Sequence, residues 1–213
     1  MGVIKQGILG GFSGKVAGVI GSSWKGIAVI KAMPLSVSNP RTSGQVLQRT
    51  KMANAVALAQ AILSTVIKPL WDRFASGMSG YNDFVSTNLS LFTGEHPSPP
   101  QNLKISTGKM ASTPIVSAIA IDGDFDIQIS WTDDSGSGYK LASDLAYAIV
   151  INETSNEVSG NLDANTARST ETVVVNVATA LAEHDQLRLY LAFKRVDGTI
   201  VSESSYLPKT VTS

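Results

Sequence analysis

The stretch that decides the fold is Gln186-Leu187-Arg188-Leu189-Tyr190-Leu191-Ala192-Phe193-Lys194. Leu187, Leu189, Leu191 and Phe193 recur at a period of two, the pattern of a strand with one face in a core. Ile127, Ile129 and Trp131 repeat that pattern upstream. Working outward, strand-like runs fall at 102–106, 115–121, 125–131, 145–151, 171–177, 186–194 and 199–205. Turn signals at Asp122-Gly123, 133–138, 152–160 and Asp197-Gly198 separate them. Short strands with such regular punctuation predict an immunoglobulin- or fibronectin-III-like antiparallel β-sandwich over residues 102–213. The best hairpin turns at Asp197-Gly198, and Trp131 and Tyr190 are the expected anchors of the sandwich core.

Upstream, His96-Pro97-Ser98-Pro99-Pro100 reads as a linker spanning 96–101. Residues 39–95 read as a helical segment. Thr42-Ser43-Gly44-Gln45 fits a capping box, and Val46, Ala53, Val56, Ala57, Leu63 and Ile67 follow near helical spacing. Pro69 breaks that helix or opens the next. A further helical turn runs through Tyr81, Phe84, Val85, Asn88 and Leu89, giving a helical hairpin that needs a partner surface. Residues 1–38 carry glycines at 7, 10, 11, 14, 18, 21 and 26. Each would cost about 1 kcal/mol inside a helix, so this part reads as an extended Gly-rich β arm or small meander. The predicted class is therefore α+β: arm, helical hairpin, then sandwich.

Composition narrows the function. A hydrophobic share of 43% against 16% charged residues excludes a disordered chain. The formal net charge of zero conceals an asymmetry, with nine bases and three acids in residues 1–100 against eight bases and fourteen acids in 101–213. Two units with different surroundings account for this split, as does ordinary scatter of surface charge. The chain has no cysteine, which excludes disulfides and thiolate chemistry. It shows no apolar run of membrane-spanning length and no signal-like or myristoylation pattern at its start, so a cytoplasmically made protein is expected.

No motif points to catalysis. His96 and His184 lack metal-ligand companions in sequence. Gly10-Gly11-Phe12-Ser13-Gly14-Lys15-Val16 fails as a phosphate loop, with Leu9 in place of the first glycine and Val16 in place of Ser or Thr. Asp122, Asp124 and Asp126, and the Asp133-Asp134-Ser135 loop, lack calcium-loop spacing and read as turn acids. Bases and aromatics interleave only thinly at Phe12…Lys15 and Trp24-Lys25, so direct nucleic-acid binding is not expected. No enzyme activity and no cofactor are expected.

Three motifs carry a resemblance: Gly11-Phe12-Ser13-Gly14-Lys15-Val16, Gly21-Ser22-Ser23-Trp24-Lys25-Gly26, and Asn39-Pro40-Arg41-Thr42 with Gln45 and Gln48-Arg49. They resemble an uncharacterised family of Bacteroidota and their phages. The run from Asn39 to Arg49, followed by Trp71, Gly80, Phe84-Val85 and Asn88, is similar to proteins encoded among phage structural genes. Gly44 departs from that pattern. The resemblance implies a context and no catalytic residue: a virion component anchored by its N-terminal half and displaying an Ig-like domain. Other virion proteins and further copies of the chain are the expected partners. The alternative is a bacterial cell-surface binding or adhesion module, whose aromatic platform would come from Tyr139, Tyr147 and Tyr206. The candidate interface residues are Phe12, Lys15, Trp24, Lys25, Arg41 and Arg49.

Overall fold

The computed structural model describes residues 3–4, 12–24, 26–36, 38–161 and 165–212, with side chains omitted for residues 3–4 and 24. The chain divides into two compact units, Met1–Thr42 and Ser43–Ser213.

The first unit is an antiparallel meander of β1 (Val3–Ile4), β2 (Phe12–Val16), β3 (Val19–Trp24) and β4 (Ile27–Ala32), in that spatial order. Val16 pairs with Val19 and Trp24 with Ile27, so both later turns have two residues. Such tight hairpins need positive φ, supplied by Ala17 at 49° and Gly26 at 83°. A Cβ at Gly21 would lie 2.6 Å from the Phe12 ring and 2.3 Å from the Phe12 carbonyl oxygen. Only glycine lets the Phe12 ring lie across β3 at this point.

The second unit opens with α1 (Ser43–Ala61), a wide π-type turn (Leu63–Ile67) and the short α2 (Lys68–Leu70). The path bends by 67° across this junction. Pro69 explains the wide turn: it has no N–H to give, and its ring would collide with the carbonyl one turn back in a regular helix. The looser geometry shows as the bond from Ile67 N to Ile62 O, 3.1 Å. Then comes α3 (Gly80–Asn88), capped by Ser79, whose Oγ accepts from Asn82 N at 3.3 Å.

Seven strands follow: β5 (Ile115–Ile119), β6 (Asp126–Trp131), β7 (Leu145–Asn152), β8 (Glu157–Gly160), β9 (Thr172–Asn176), β10 (Gln186–Lys194) and β11 (Ser205–Thr210). They form a four-stranded sheet, β11-β10-β7-β8, and a three-stranded sheet, β5-β6-β9, both antiparallel. The inner core holds Leu187, Leu189, Leu191 and Phe193 against Ile127, Ile129, Trp131, Val173 and Val175. The other face of the four-stranded sheet is also buried. Tyr147, Ile149, Ile151, Tyr190 and Ala192 pack against Leu58, Ile62, Val66, Leu70, Trp71 and Phe84 of the helices. The second unit therefore has three layers: helices, four-stranded sheet, three-stranded sheet.

Several expectations change here. The helices within 43–95 share one core with the four-stranded sheet, which is the partner surface that the helical hairpin needs. The 96–101 segment is tied to the body: Pro97 is buried, Ser98 N donates to Leu91 O at 2.8 Å, and Tyr190 Oη donates to Pro100 O at 2.8 Å. Tyr190 anchors the helical layer, because its register turns it away from the sandwich interior that holds Trp131. Residues 102–106 form no strand. Leu103 and Ile105 are buried under the helical layer, so their alternation reports burial without a ladder. The turn at Asp197-Gly198 is present, with Arg195 N bonded to Ile200 O at 2.9 Å, but the last strand starts only at Ser205.

A fragment of residues 102–213 would expose the whole outer apolar face of the four-stranded sheet. It is expected to aggregate, whereas a fragment of 43–213 melts in one cooperative transition; light scattering and calorimetry check both. Phe84→Ala, at a fully buried position, is expected to cost about 3–5 kcal/mol in that same single transition.

Candidate interaction surface

Among the described residues of the first unit, several apolar side chains are exposed. Every residue of β4 is exposed, including Ile27 at 60% and Ile30 at 64%. Alternation puts Ile27 and Val29 on one face and Ile30 on the other, so neither face of β4 is covered. As the last strand of its sheet, β4 also has an outer edge with no neighbouring strand among the described residues. Ile30 pairs with Gly21, which offers no side chain to shield it. Natural sheets protect such edges with charges, prolines or a cover, and an unprotected apolar edge is a pairing site.

Charge adds to this picture. The first acidic residue of the chain is Asp72; before it stand eight bases, Lys5, Lys15, Lys25, Lys31, Arg41, Arg49, Lys51 and Lys68. The first turns of α1 are likewise exposed, with Val46 and Leu47 open and packing beginning only near Lys51. Residues 1–71 thus carry bases and no acid, and apolar side chains are exposed both on β4 and, separately, on the first turns of α1.

The sequence-derived residues fall as follows. Phe12 is half-buried on β2 over Gly21, and Lys15 is exposed on the same strand opposite Ile20. The backbone of Trp24 closes β3, and Lys25 lies outside the described residues. Arg41 is exposed just before α1, and Arg49 is exposed on α1 in the second unit. Phe12, Lys15 and Trp24 thus belong to one sheet, and Arg49 to another unit. Sequence reasoning missed Ile27, Val29 and Ile30, since β-branched runs usually mark burial and nothing local says otherwise. Of the segment rejected as a phosphate loop, Gly10 and Gly11 lie outside the described residues and Phe12–Val16 is strand β2, followed by a strand rather than a helix.

The densest group of charges lies elsewhere and is closed. Arg168 is 0% exposed, and its guanidinium lies 3.9 Å from the centroid of the Phe193 ring. It donates to Thr113 Oγ1, to Asp134 Oδ1 at 2.6 Å, to Asp144 Oδ2 at 3.3 Å and to Met110 Sδ at 3.1 Å. Lys140 Nζ adds an ion pair to Asp134 and a bond to Ser112 O at 3.0 Å. Trp131 Nε1 donates to Arg168 O at 2.8 Å, joining both sheets to this cluster. Asp134, read from sequence as a turn acid, is thus the counter-ion of two cations. Burial opposes ionisation of Asp134, but the bonds from Lys140 and Thr113 and the charges of Arg168 and Lys140 outweigh it and hold its pKa below the usual value. Asp122 Oδ1 accepts from Glu183 N at 3.0 Å and Asp126 Oδ1 from Asn176 Nδ2 at 2.9 Å, both in turn-fixing roles. Among the described residues no three His, Asp or Glu side chains are grouped to hold a metal ion. Among them also no single helix is long and apolar enough to cross a membrane.

Arg168→Met is expected to cost about 3–5 kcal/mol, because it strands the fully buried Asp144 carboxylate. Arg168 Nε and Asp144 Oδ1 have no protein partner, so the pair is not fully satisfied. Arg168→Met with Asp144→Leu should therefore recover much of the loss in urea melts. The lowered pKa of Asp134 contributes stability that is present above its unfolded value, about 4, and lost as pH falls through the folded one. The stability gap between wild type and Asp134→Asn should accordingly narrow as pH drops below about 4.

Comparison with known proteins adds the family. No curated protein matches the chain in sequence. Among solved structures, the chicken CNTN1 FN1–FN3 domains align at TM-score 0.35 and 6% identity, over 50% of this chain and 33% of that one. A structure described as a myokine aligns at TM-score 0.35 and 11% identity, over 49% and 98%. The fibronectin type-III domain of human fibronectin type III domain containing protein 3 aligns at 0.34 and 15%, over 50% and 88%. Each aligned part is about half of this chain. Across residues 11–208, reaching into both units, the sequence matches a family model, and the chain belongs to the Family of unknown function (DUF6266).

Proposed function

We propose that this chain is a non-enzymatic structural component of a bacteriophage virion, attached through its N-terminal sheet and displaying its sandwich. The observation that carries this reading is β4, an apolar strand at a sheet edge with all six residues exposed. Such a strand completes its burial and its hydrogen bonds on a neighbour, by addition to that neighbour's sheet. The absence of any acid before Asp72 makes an acidic protein neighbour the best complement and works against two copies meeting at this edge. The motif resemblance to phage structural-gene products supplies the particle context. Of the three tyrosines that a surface-adhesion module would use as a platform, only Tyr139 is exposed; Tyr147 is buried, and Tyr206 is half-buried against Tyr190. The virion reading is therefore preferred to the cell-surface one.

Purified native particles should contain the chain at fixed stoichiometry, with density for β4 continuing a sheet of the neighbouring subunit. Ile27→Asp and Ile30→Asp, both at exposed positions, should change monomer stability by less than about 0.5 kcal/mol yet prevent incorporation. Recovery of the chain in washed cell envelopes instead of particles would sink the proposal. So would a compact monomer whose β4 amides are protected from hydrogen exchange.

A further inference from the structure

Four segments meet at one end of the sandwich: the turn after α2 with Arg73 and Phe74, residues 107–109, the loop bearing Tyr139, and the hairpin of 194–201. They enclose a cleft of about 430 Å³ lined by Phe74, Lys109, Tyr139, Thr199, Ile200 and Val201. Its base is closely built. A Cβ at Gly108 would lie 1.9 Å from Val201 O, so glycine is needed for residues 107–109 to lie against the hairpin. Phe74 and Tyr139 remain substantially exposed on its walls.

Of the residues lining the cleft Lys109 is charged, and two guanidinium groups stand close by. Arg73 Nη1 donates to Asp197 O at 3.0 Å, and Arg195 Nη2 donates to Tyr139 O at 2.7 Å. A Cβ on Gly198 would lie 3.0 Å from Arg73 Nη1 and 3.9 Å from Lys194 Nζ, so these two cations flank one turn. Carbonyl oxygens orient a guanidinium without cancelling its charge. Among the described residues, none of Arg73, Lys109, Lys194 and Arg195 forms an ion pair. The adjacent acid, Asp197, turns Oδ1 to Thr199, accepting from its N at 2.8 Å and its Oγ1 at 2.6 Å. The bonds from Thr199, and then the charges of Arg195 and Arg73, hold the Asp197 carboxyl below the usual carboxylate range. Residues 101–213 have only eight bases against fourteen acids, yet three of those bases gather here.

We infer that this cleft binds an acidic peptide segment of a partner protein, with one aliphatic or aromatic side chain against Phe74, Tyr139 and Ile200 and flanking carboxylates on Arg73, Lys109, Lys194 and Arg195. An apolar cleft with a few charged groups at its rim suits a side chain with acidic neighbours. A sugar ring would need more hydroxyl partners than Thr107 and Thr199 supply. The site lies wholly within the second unit, so it stands or fails separately from the attachment role of residues 1–42.

The test is an amide NMR titration of the full-length chain with capped Glu-Glu-Leu-Glu-Glu and Glu-Glu-Phe-Glu-Glu peptides. Their Gln-for-Glu counterparts and an oligouronate serve as separate arms. Saturable shifts confined to 73–74, 107–109, 139 and 194–201 are expected from the acidic peptides. Affinity should fall by at least about tenfold in both Lys109→Glu and Phe74→Ala and stay unchanged in Lys104→Glu, the same charge change at another exposed site. The inference is overturned if no acidic peptide saturates, if the Gln peptides bind equally well, or if only the oligouronate binds. Indifference of binding to both Lys109→Glu and Phe74→Ala overturns it as well.

Discussion

Strands β7 and β10 are apolar on both faces, and covering both faces organises residues 43–213. On β7, Ala146, Ala148 and Val150 face the three-stranded sheet, while Tyr147, Ile149 and Ile151 face the helices. A sandwich with one solvated face would place polar side chains at the second set. Here they are large and greasy, so α1, the π-type turn and α3 must lie on them. Burying an aliphatic or aromatic side chain of this size is worth about 1.5–3 kcal/mol, and several do so in each layer. The remaining polar demands follow from that packing. Trp71 Nε1, sealed beneath the helices, donates to Ile105 O at 2.7 Å. Asn88 bonds Lys104 through both its Oδ1 and its Nδ2, which pins the 102–106 segment where no ladder exists.

The sandwich was legible because Leu187, Leu189, Leu191 and Phe193 need only a period of two to be recognised. Which strand mates with which was less so. β8 was invisible, since Glu157-Val158-Ser159-Gly160 has the composition of a turn and takes its strand geometry from β7 alongside. β11 lies beyond most of the 199–205 run and includes Pro208, which sits opposite Arg188 on an edge strand, where a missing donor is tolerated. The helices were readable from spacing, but their target was not, because Tyr190 and Ala192 share a strand with the inner-core leucines and period alone does not say which face is wet. Arg168 left no trace: its contacts with Thr113, Asp134 and Asp144 are long-range pairings that no local pattern encodes. Of the interface candidates, Phe12 and Lys15 come from motifs, whereas the exposure of Ile27 and Ile30 is a property of the folded sheet alone.

The two charge clusters in the second unit differ in one physical respect. Around Arg168, Asp134 and Asp144 balance the cations, with Arg168 and Asp144 fully buried and Asp134 partly exposed, and the Phe193 ring and the Trp131 indole pack there too. Around Gly198, Arg73 and Arg195 are braced by the carbonyls of Asp197 and Tyr139, beside the exposed Asp197 carboxylate. The first arrangement fixes the loops of the sandwich relative to its core. The second keeps positive potential available at an end of a domain that is otherwise acidic.

The cationic character of the first unit also bears on its solubility. An uncovered strand such as β4 is a template for stacking with its own kind, and every copy presents the same Ile27, Val29 and Ile30. Every copy also presents Lys15 and Lys31 with no acid in the unit to offset them. The like charge of these lysines opposes such stacking, in the manner of gatekeeper residues beside an apolar strand. Screening sets the reach of that protection at about 8 Å in physiological salt, so crowding or high ionic strength would erode it.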